Sequence, residues 1–348
     1  MEGDFIKNNL LIGMGNPLLD ISAVVETDLL EKYELKQNDA ILAEEKHKPI
    51  YEELTAKYPV RYIAGGSVQN TLRVAQWLLE KPNVVTFFGC VGQDKYSKIL
   101  YEEATSSGVN VKYQYSNTSP TGTCAVLITG YDRSLCANLG AANDFTIDHL
   151  ADPENKKLIE SAQFYYVSGF FLTVNPAAQM EMAKYAVSKN RPFVMNLSAP
   201  FICQFFFKAF ADALPYTDLL FGNESEAETL SESYNFGTKN VEEIALKISE
   251  LPKENENRKR TVIITQGVEP IIVATEGKIR KFPIVQLPKE KIVDTNGAGD
   301  AFAGGFLSQY ILGRSLEICI KCGAWAAAEI IQRNGCSYEG KPAFNPEL

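Results

Sequence analysis

Two histidines, His47 and His149, are all that this 348-residue chain contains, and both sit in polar segments. Histidine-based catalysis and His-rich metal sites are therefore poor expectations. No apolar run approaches the ~20 residues of a bilayer-spanning helix. The opening MEGDFIKNNLLIG carries an early acid and lacks a basic region followed by a long apolar stretch, so no secretory leader is expected. Positive charge is in deficit, with 34 Lys and Arg against 43 Asp and Glu and a formal net charge of −9. A broad grip on nucleic-acid backbone is thereby disfavoured. A small anionic ligand stays within reach of local amide dipoles and a single arginine. The sequence G-x-x-x-x-G-K-[ST] is missing, which removes the P-loop enzymes. IGMGNPLLDIS hints at a dinucleotide fingerprint, but its third glycine is absent and it continues as a strand. Seven cysteines, an odd number in a long chain, argue for reduced thiols in the cytoplasm. Entry to the nucleus is left open. Cys319 and Cys322 spell CxxC inside an Ala-rich apolar helix with no second such pair, so buried helical thiols are expected.

What is present suits a globular chain: 45% hydrophobic and 22% charged residues, at a length fitting one large domain plus a smaller appendage. From position 160 short apolar runs, FYYVSGFFL, PFVMNLSA, TDLLFGNE and TVIITQG, alternate with amphipathic segments. That alternation predicts βαβ units and a mostly parallel sheet with helices on both faces. VVTFFGCVG followed by a helix over 94–107 extends it backwards, and EPIIVATEGKIRKFPI reads as a hairpin turning near Glu276-Gly277. Residues 18–64 and roughly 112–142 depart from the alternation, with β-like stretches that predict a small projecting sheet. LPKENENRKRT (251–261) is charge-dense and reads as solvated surface.

DTNGAGDAFAGGFL (294–307) breaks local rules at a helix start. Small residues at Gly297, Ala298 and Gly299 let backbone N–H groups approach a ligand, and free amides at a helix N-terminus favour an anion. On glycine pattern alone an Asp-capped helix after a tight turn is equally open. Asp300 tilts the balance, because a carboxylate beside an anion cradle repels the ligand unless it has work there, such as taking a proton from an attacking hydroxyl.

DTNGAGDAFAGGFL together with AGGSVQNTLRVA (64–75) resembles the paired signatures of the ribokinase-like (PfkB) carbohydrate and nucleoside kinases, in the expected order. GMGNPLLDIS, the PTGTCAVLITG and DRSLCANLGAAN stretches, GFFLTV and NLSAPF extend the similarity, over essentially the whole chain, to the branch that phosphorylates adenosine. The resemblance implies a ribokinase-like α/β fold with a small β-rich lid. The large domain would take 1–17, 65–115 and 143–348, and the discontinuous lid 18–64 and 116–142. It also implies ATP-dependent, Mg²⁺-assisted phosphorylation of the adenosine 5′-hydroxyl by a protein with no nucleic-acid or membrane partner, expected to be a monomer.

Carried onto this chain, Asp300 becomes the general base and the amides from Gly297 to Asp300 the anion hole, with Asn296 supporting the turn. Asp20 would bridge the ribose hydroxyls beside Asn16, although alone it reads as a turn residue. Gly65, Gly66, Ser67 and Asn70 would approach the ribose, although alone they are an ordinary helix start. Arg133 in the lid could neutralise phosphate charge on closure, whereas a lone surface arginine is usually solvated. Cys124, Leu135 and Ala137 would cover the adenine. Phe170 and Phe201 could pack on the base, with core packing as the default for so abundant a residue. Asn223 and Glu226 match an N-x-x-E motif in which the glutamate organises Mg²⁺ through water, against the plainer role of a helix-start acid. Gln266 and Gly267 fall where ATP would lie, and Asn196 where phosphates would. Ala324 departs from the pattern, standing where some members carry a histidine near the nucleotide adenine. A sugar kinase, a non-catalytic nucleoside-binding protein and a dinucleotide-dependent oxidoreductase are the rival readings.

Overall fold

The computed structural model describes residues 6–130 and 132–346. Nine strands form the main sheet, in the order Lys278–Phe282, Glu269–Thr275, Thr261–Gln266, Leu219–Asn223, Phe193–Asn196, Phe164–Ser168, Leu11–Met14, Val85–Gly92 and Asn110–Ser116. Neighbours are parallel from Thr261–Gln266 to Asn110–Ser116. The two remaining pairings are antiparallel. Glu276 and Gly277, at φ 52° and 71°, supply the left-handed pair of a tight hairpin turn where the sequence places it.

Side chains alternate along a strand, so each buried strand feeds two apolar layers. Tyr165, Val167, Met195 and Ile264 enter one layer, beneath helices Pro176–Ser188, Glu224–Ser233 and Val241–Glu250. Tyr166, Val194 and Ile263 enter the other, beneath Ser67–Leu79, Lys95–Ser106, Ala298–Tyr310 and Leu316–Ile330. The glycine pair inside Ala298–Tyr310 is explained here. A Cβ at Gly304 would lie 2.5 Å from the Thr71 carbonyl, and one at Gly305 2.6 Å from that of Cys322. The helix thus lies against both neighbours, and its contact with Ser67–Leu79 brings two motif-bearing helix starts together. Cys319 and Cys322 are buried thiols in the last helix. Among the described residues no helix is long and apolar enough to cross a membrane.

A second sheet has the order Ala40–Leu42, Asp132–Asn138, Thr123–Thr129, Leu18–Val24 and Arg61–Gly65, its strands drawn from two separate stretches of chain. One face (Ala23, Ala125, Leu127 and Cys136) packs on Leu29, Leu30, Ile50 and Leu54. Those leucines and Ile50 lie on helices Thr27–Lys32 and Pro49–Lys57, in a segment whose sequence suggested only β structure. Both helices are short and start without a side-chain cap, so they leave little local signal.

The charge-dense loop is not simply solvated. Asp218 accepts from Lys253 Nζ at 2.5 Å and from Arg258 Nε at 3.1 Å, and Arg260 is 1% exposed. The Arg260 guanidinium donates to the carbonyls of Leu214, Thr217, Ile248, Leu251 and Pro252. Backbone acceptors left over at segment ends, rather than water, claim the charge.

Candidate active site

Strand order reverses beside Leu11–Met14. The chain proceeds to Val85–Gly92 and Asn110–Ser116 on one side and returns as Phe164–Ser168 on the other. Ligands in open α/β sheets gather beyond the strand carboxyl ends at such a reversal. Asn16 follows strand Leu11–Met14 and Phe170 follows Phe164–Ser168, and Asn16 Nδ2 donates to the Phe170 carbonyl at 3.2 Å. Asn16 Oδ1 is buried without a hydrogen-bond partner, an acceptor aimed at nothing in the chain.

Helix Ala298–Tyr310 starts at the same place. Gly297, its N-cap, has φ 79° and no side chain caps the helix. The Ala301 amide is bonded to the Gly297 carbonyl at 2.8 Å, and the Ala298 amide to the Thr295 carbonyl at 3.2 Å. The amides of Gly299 and Asp300 have no backbone acceptor among the described residues. A Cβ on Gly299 would meet nothing within 4 Å. Free donors, the positive end of a helix and open space make an anion cradle.

Asp300 is held rigidly beside it. Ser67 Oγ donates to Oδ1 at 2.6 Å, and Asn70 Nδ2 to Oδ2 at 3.0 Å. Burial pushes the carboxyl up to about 6, and the two hydrogen bonds pull the other way. Asn70 Oδ1 is a second buried acceptor without a partner. Asp20 is 8% exposed, and burial, followed by the charges of Asp300 and Asp294, pushes its carboxyl up to about 8. A Cβ on Gly65 would lie 2.4 Å from Asp20 Oδ1, and Gly66, at φ 93°, would place one 2.3 Å from the Asn16 carbonyl oxygen. The stretches around Asn16, Gly65 and Asp300 therefore converge, as their signatures suggest.

The second sheet covers this cluster with one row of side chains. Asp20 pairs with Cys124, Cys124 with Ala137, and Val126 with Leu135. By the alternation of strand side chains, all lie on the face opposite the helix-packed one. Val126 was missed, although it stands two residues after Cys124 on the same strand. The Phe170 and Phe201 rings lie 6.0 Å apart and both are half-buried against the core.

Asn196, Asn223 and Gln266 end three successive strands at this edge. Asn196 Oδ1 accepts from the amide of Ser198, a non-glycine residue at φ 74°. Asn223 and Glu226 form a reciprocal cap, the Glu226 carboxylate accepting the Asn223 amide and Nδ2 at 2.9 Å each. Burial pushes the Glu226 carboxyl up to about 7, and among the described residues no cation pairs with it. Among the described residues no three metal-ligating side chains cluster. Gln266 Nε2 donates to the Pro270 carbonyl at 2.6 Å, and Gly267, at φ 56°, faces open space. Ala324 is half-buried against the second apolar layer.

Arg133 is neither solvated nor free. Its Nε donates to Asp294 Oδ1 at 2.9 Å and its Nη2 to the Val293 carbonyl at 2.7 Å. Asp294 was not singled out from the sequence. Only its place at the head of the glycine-rich motif could have drawn attention to it.

Residues 27–343 match the pfkB family carbohydrate kinase description. Adenosine kinase 2 of Arabidopsis thaliana is 53% identical over 97% of this chain and 98% of its own length. The crystal structure of Anopheles gambiae adenosine kinase in complex with P1,P4-di(adenosine-5) tetraphosphate is 58% identical, covers 97% of this chain and all of that one, and superposes with a TM-score of 0.96. Adenosine kinase from Schistosoma mansoni in complex with 2-fluoroadenosine, 37% identical over 96% of this chain and 98% of its own, gives 0.94. The anion cradle, the carboxylate beside it and the covering sheet thus agree with full-length similarity, and the chain belongs to the pfkB family of carbohydrate kinases.

Proposed function

We propose that this chain is an adenosine kinase, transferring the γ-phosphoryl of ATP to the adenosine 5′-hydroxyl to give AMP and ADP. One observation carries the chemistry: Asp300, fixed by Ser67 and Asn70, stands beside the uncapped amides of its own helix. The carboxylate would take the hydroxyl proton as the oxygen attacks in line, and the amides of Gly299 and Asp300 would stabilise charge on the moving phosphoryl group. The orphaned acceptors Asn16 Oδ1 and Asn70 Oδ1, with Asp20, supply what ribose hydroxyls need. The Cys124, Val126, Leu135 and Ala137 row offers an apolar cover to a purine, and Phe170 and Phe201 an aromatic flank. That apolar face favours a nucleoside over a free sugar.

The division into a large domain and a lid of residues 18–64 and 116–142 belongs to the same reading, with closure excluding water that would otherwise accept the phosphoryl group. Asn196, Asn223, Gln266 and Gly267 would line the nucleotide side. Mg²⁺, held through water near Glu226, would neutralise phosphate charge. Arg133 would face the phosphates from the lid. A coupled assay across adenosine, inosine, guanosine, deoxyadenosine and ribose tests the reading. Adenosine should be turned over best and deoxyadenosine poorly, because a missing hydroxyl leaves buried acceptors unpaired. Turnover of ribose alone would overturn it.

A further inference from the structure

Asp294 is 2% exposed and carries no role in the transfer as described above. Its carboxylate is nevertheless shared by three parts of the molecule. Oδ1 accepts Arg133 Nε and the Asn296 amide, each at 2.9 Å, and Oδ2 accepts the Gly335 amide at 2.9 Å. Arg133 belongs to the second sheet, Asn296 to the turn that leads into the anion cradle, and Gly335 to the segment behind that turn. A Cβ on Gly297 would lie 3.0 Å from that of Cys336, so the segment after Gly335 walls the turn directly. The main-chain amides of Val293 and Asp294 are bonded to the Ile331 carbonyl, which fixes the carboxylate from its own backbone.

We propose that Asp294 is a positioning residue: through Arg133 it couples closure of the second sheet to the geometry of the anion-binding turn. The inference rests on the kinase reading. Arg133 Nε is spent on Asp294, Nη1 on the Asp132 and Gly130 carbonyls, and one Nη2 hydrogen on the Val293 carbonyl. Among the described residues one Nη2 hydrogen finds no acceptor and is left for a phosphoryl oxygen. The carboxylate therefore does not consume the arginine but aims it, and the same oxygen holds the turn through Asn296. An open second sheet would strip Asp294 of its counter-charge while it remained buried, a costly state that favours closure whenever the turn is correctly formed.

Two measurements test this. In a kinetic cycle on the full chain, Asp294→Asn should lower kcat about tenfold or more while the adenosine KM changes less than about threefold. In an Arg133→Ala background the same substitution should cost less than about threefold, because its effect runs through the arginine. Multiplying losses would mean that Asp294 serves the turn alone, and would overturn the coupling. Amide exchange gives an answer that needs neither activity nor a folded Asp294 variant. Arg133→Ala should speed exchange several-fold across 294–300, although the altered residue lies on a strand of the second sheet; unchanged exchange there overturns the proposal. Wild-type protein without adenosine phosphorylation would sink the kinase reading, and the exchange result would still decide the coupling.

Discussion

Burial alone would hold the Asp300 carboxyl higher than about 6; the Ser67 hydroxyl and the Asn70 amide bring it down to where a general base is useful. The base must be ionised, so kcat at saturating adenosine should climb about tenfold per pH unit below that value and flatten above it. Asp300→Ala should keep the fold and adenosine binding and lose roughly two to four orders of magnitude in kcat. Near-normal turnover would remove the mechanism. Asp20 presents the opposite economy. Its folded value of about 8 lies far above its ordinary 3.8, so the folded state binds the proton more tightly and stability is lost as pH rises between those values. Asp20→Asn removes that loss. Its melting temperature should exceed wild type by about 2 °C or more near pH 8 and by little near pH 4, while adenosine affinity falls. Thermal melts across pH, with and without adenosine, separate the two effects.

At the start of helix Ala298–Tyr310, two glycines answer to different constraints. Gly297 has φ 79° and Cys336 against its face, whereas Gly299 has a free face. Gly297→Ala should cost about 1–3 kcal/mol of stability, the price of a left-handed alanine. Gly299→Ala should leave stability equal or up to about 1 kcal/mol higher, because alanine suits a helix better. Its methyl would stand where the phosphoryl group must come, so kcat should drop sharply while the melting point holds. Denaturant titration beside initial rates checks both. This helix start was legible in the sequence because it violates helix preferences and stands before an acid. The meeting of Ser67, Asn70 and Asp300 was less so: it depends on Gly304 letting two helices touch, more than 200 positions apart in the chain. The Arg133 partner could not be read at all. Asp294 is 161 residues away, and nothing local distinguishes a solvated arginine from a paired one.

Across the molecule, the two ends of the main sheet divide the labour. At the strand carboxyl ends, Asn16 and Asn70 keep idle buried acceptors, and among the described residues no cation pairs with Glu226. At the strand starts, Arg260 and Asp218 are saturated with protein partners. Idle buried groups cost stability, and those beside the anion cradle can be satisfied by a ligand; saturated ones hold the fold. Composition cannot tell these apart, which is why the loop over 251–261 reads as surface. Arg260→Met keeps much of the volume and leaves five carbonyls without their donor. It should lower stability by about 4 kcal/mol or more. At a temperature where the variant is still folded, the adenosine KM should stay within about twofold, the reverse of the Gly299→Ala pattern. Unfolding curves and steady-state kinetics on the same preparation decide it. A wild-type melting point would return the loop to solvent, and an altered KM in folded protein would mean that the two ends are not independent.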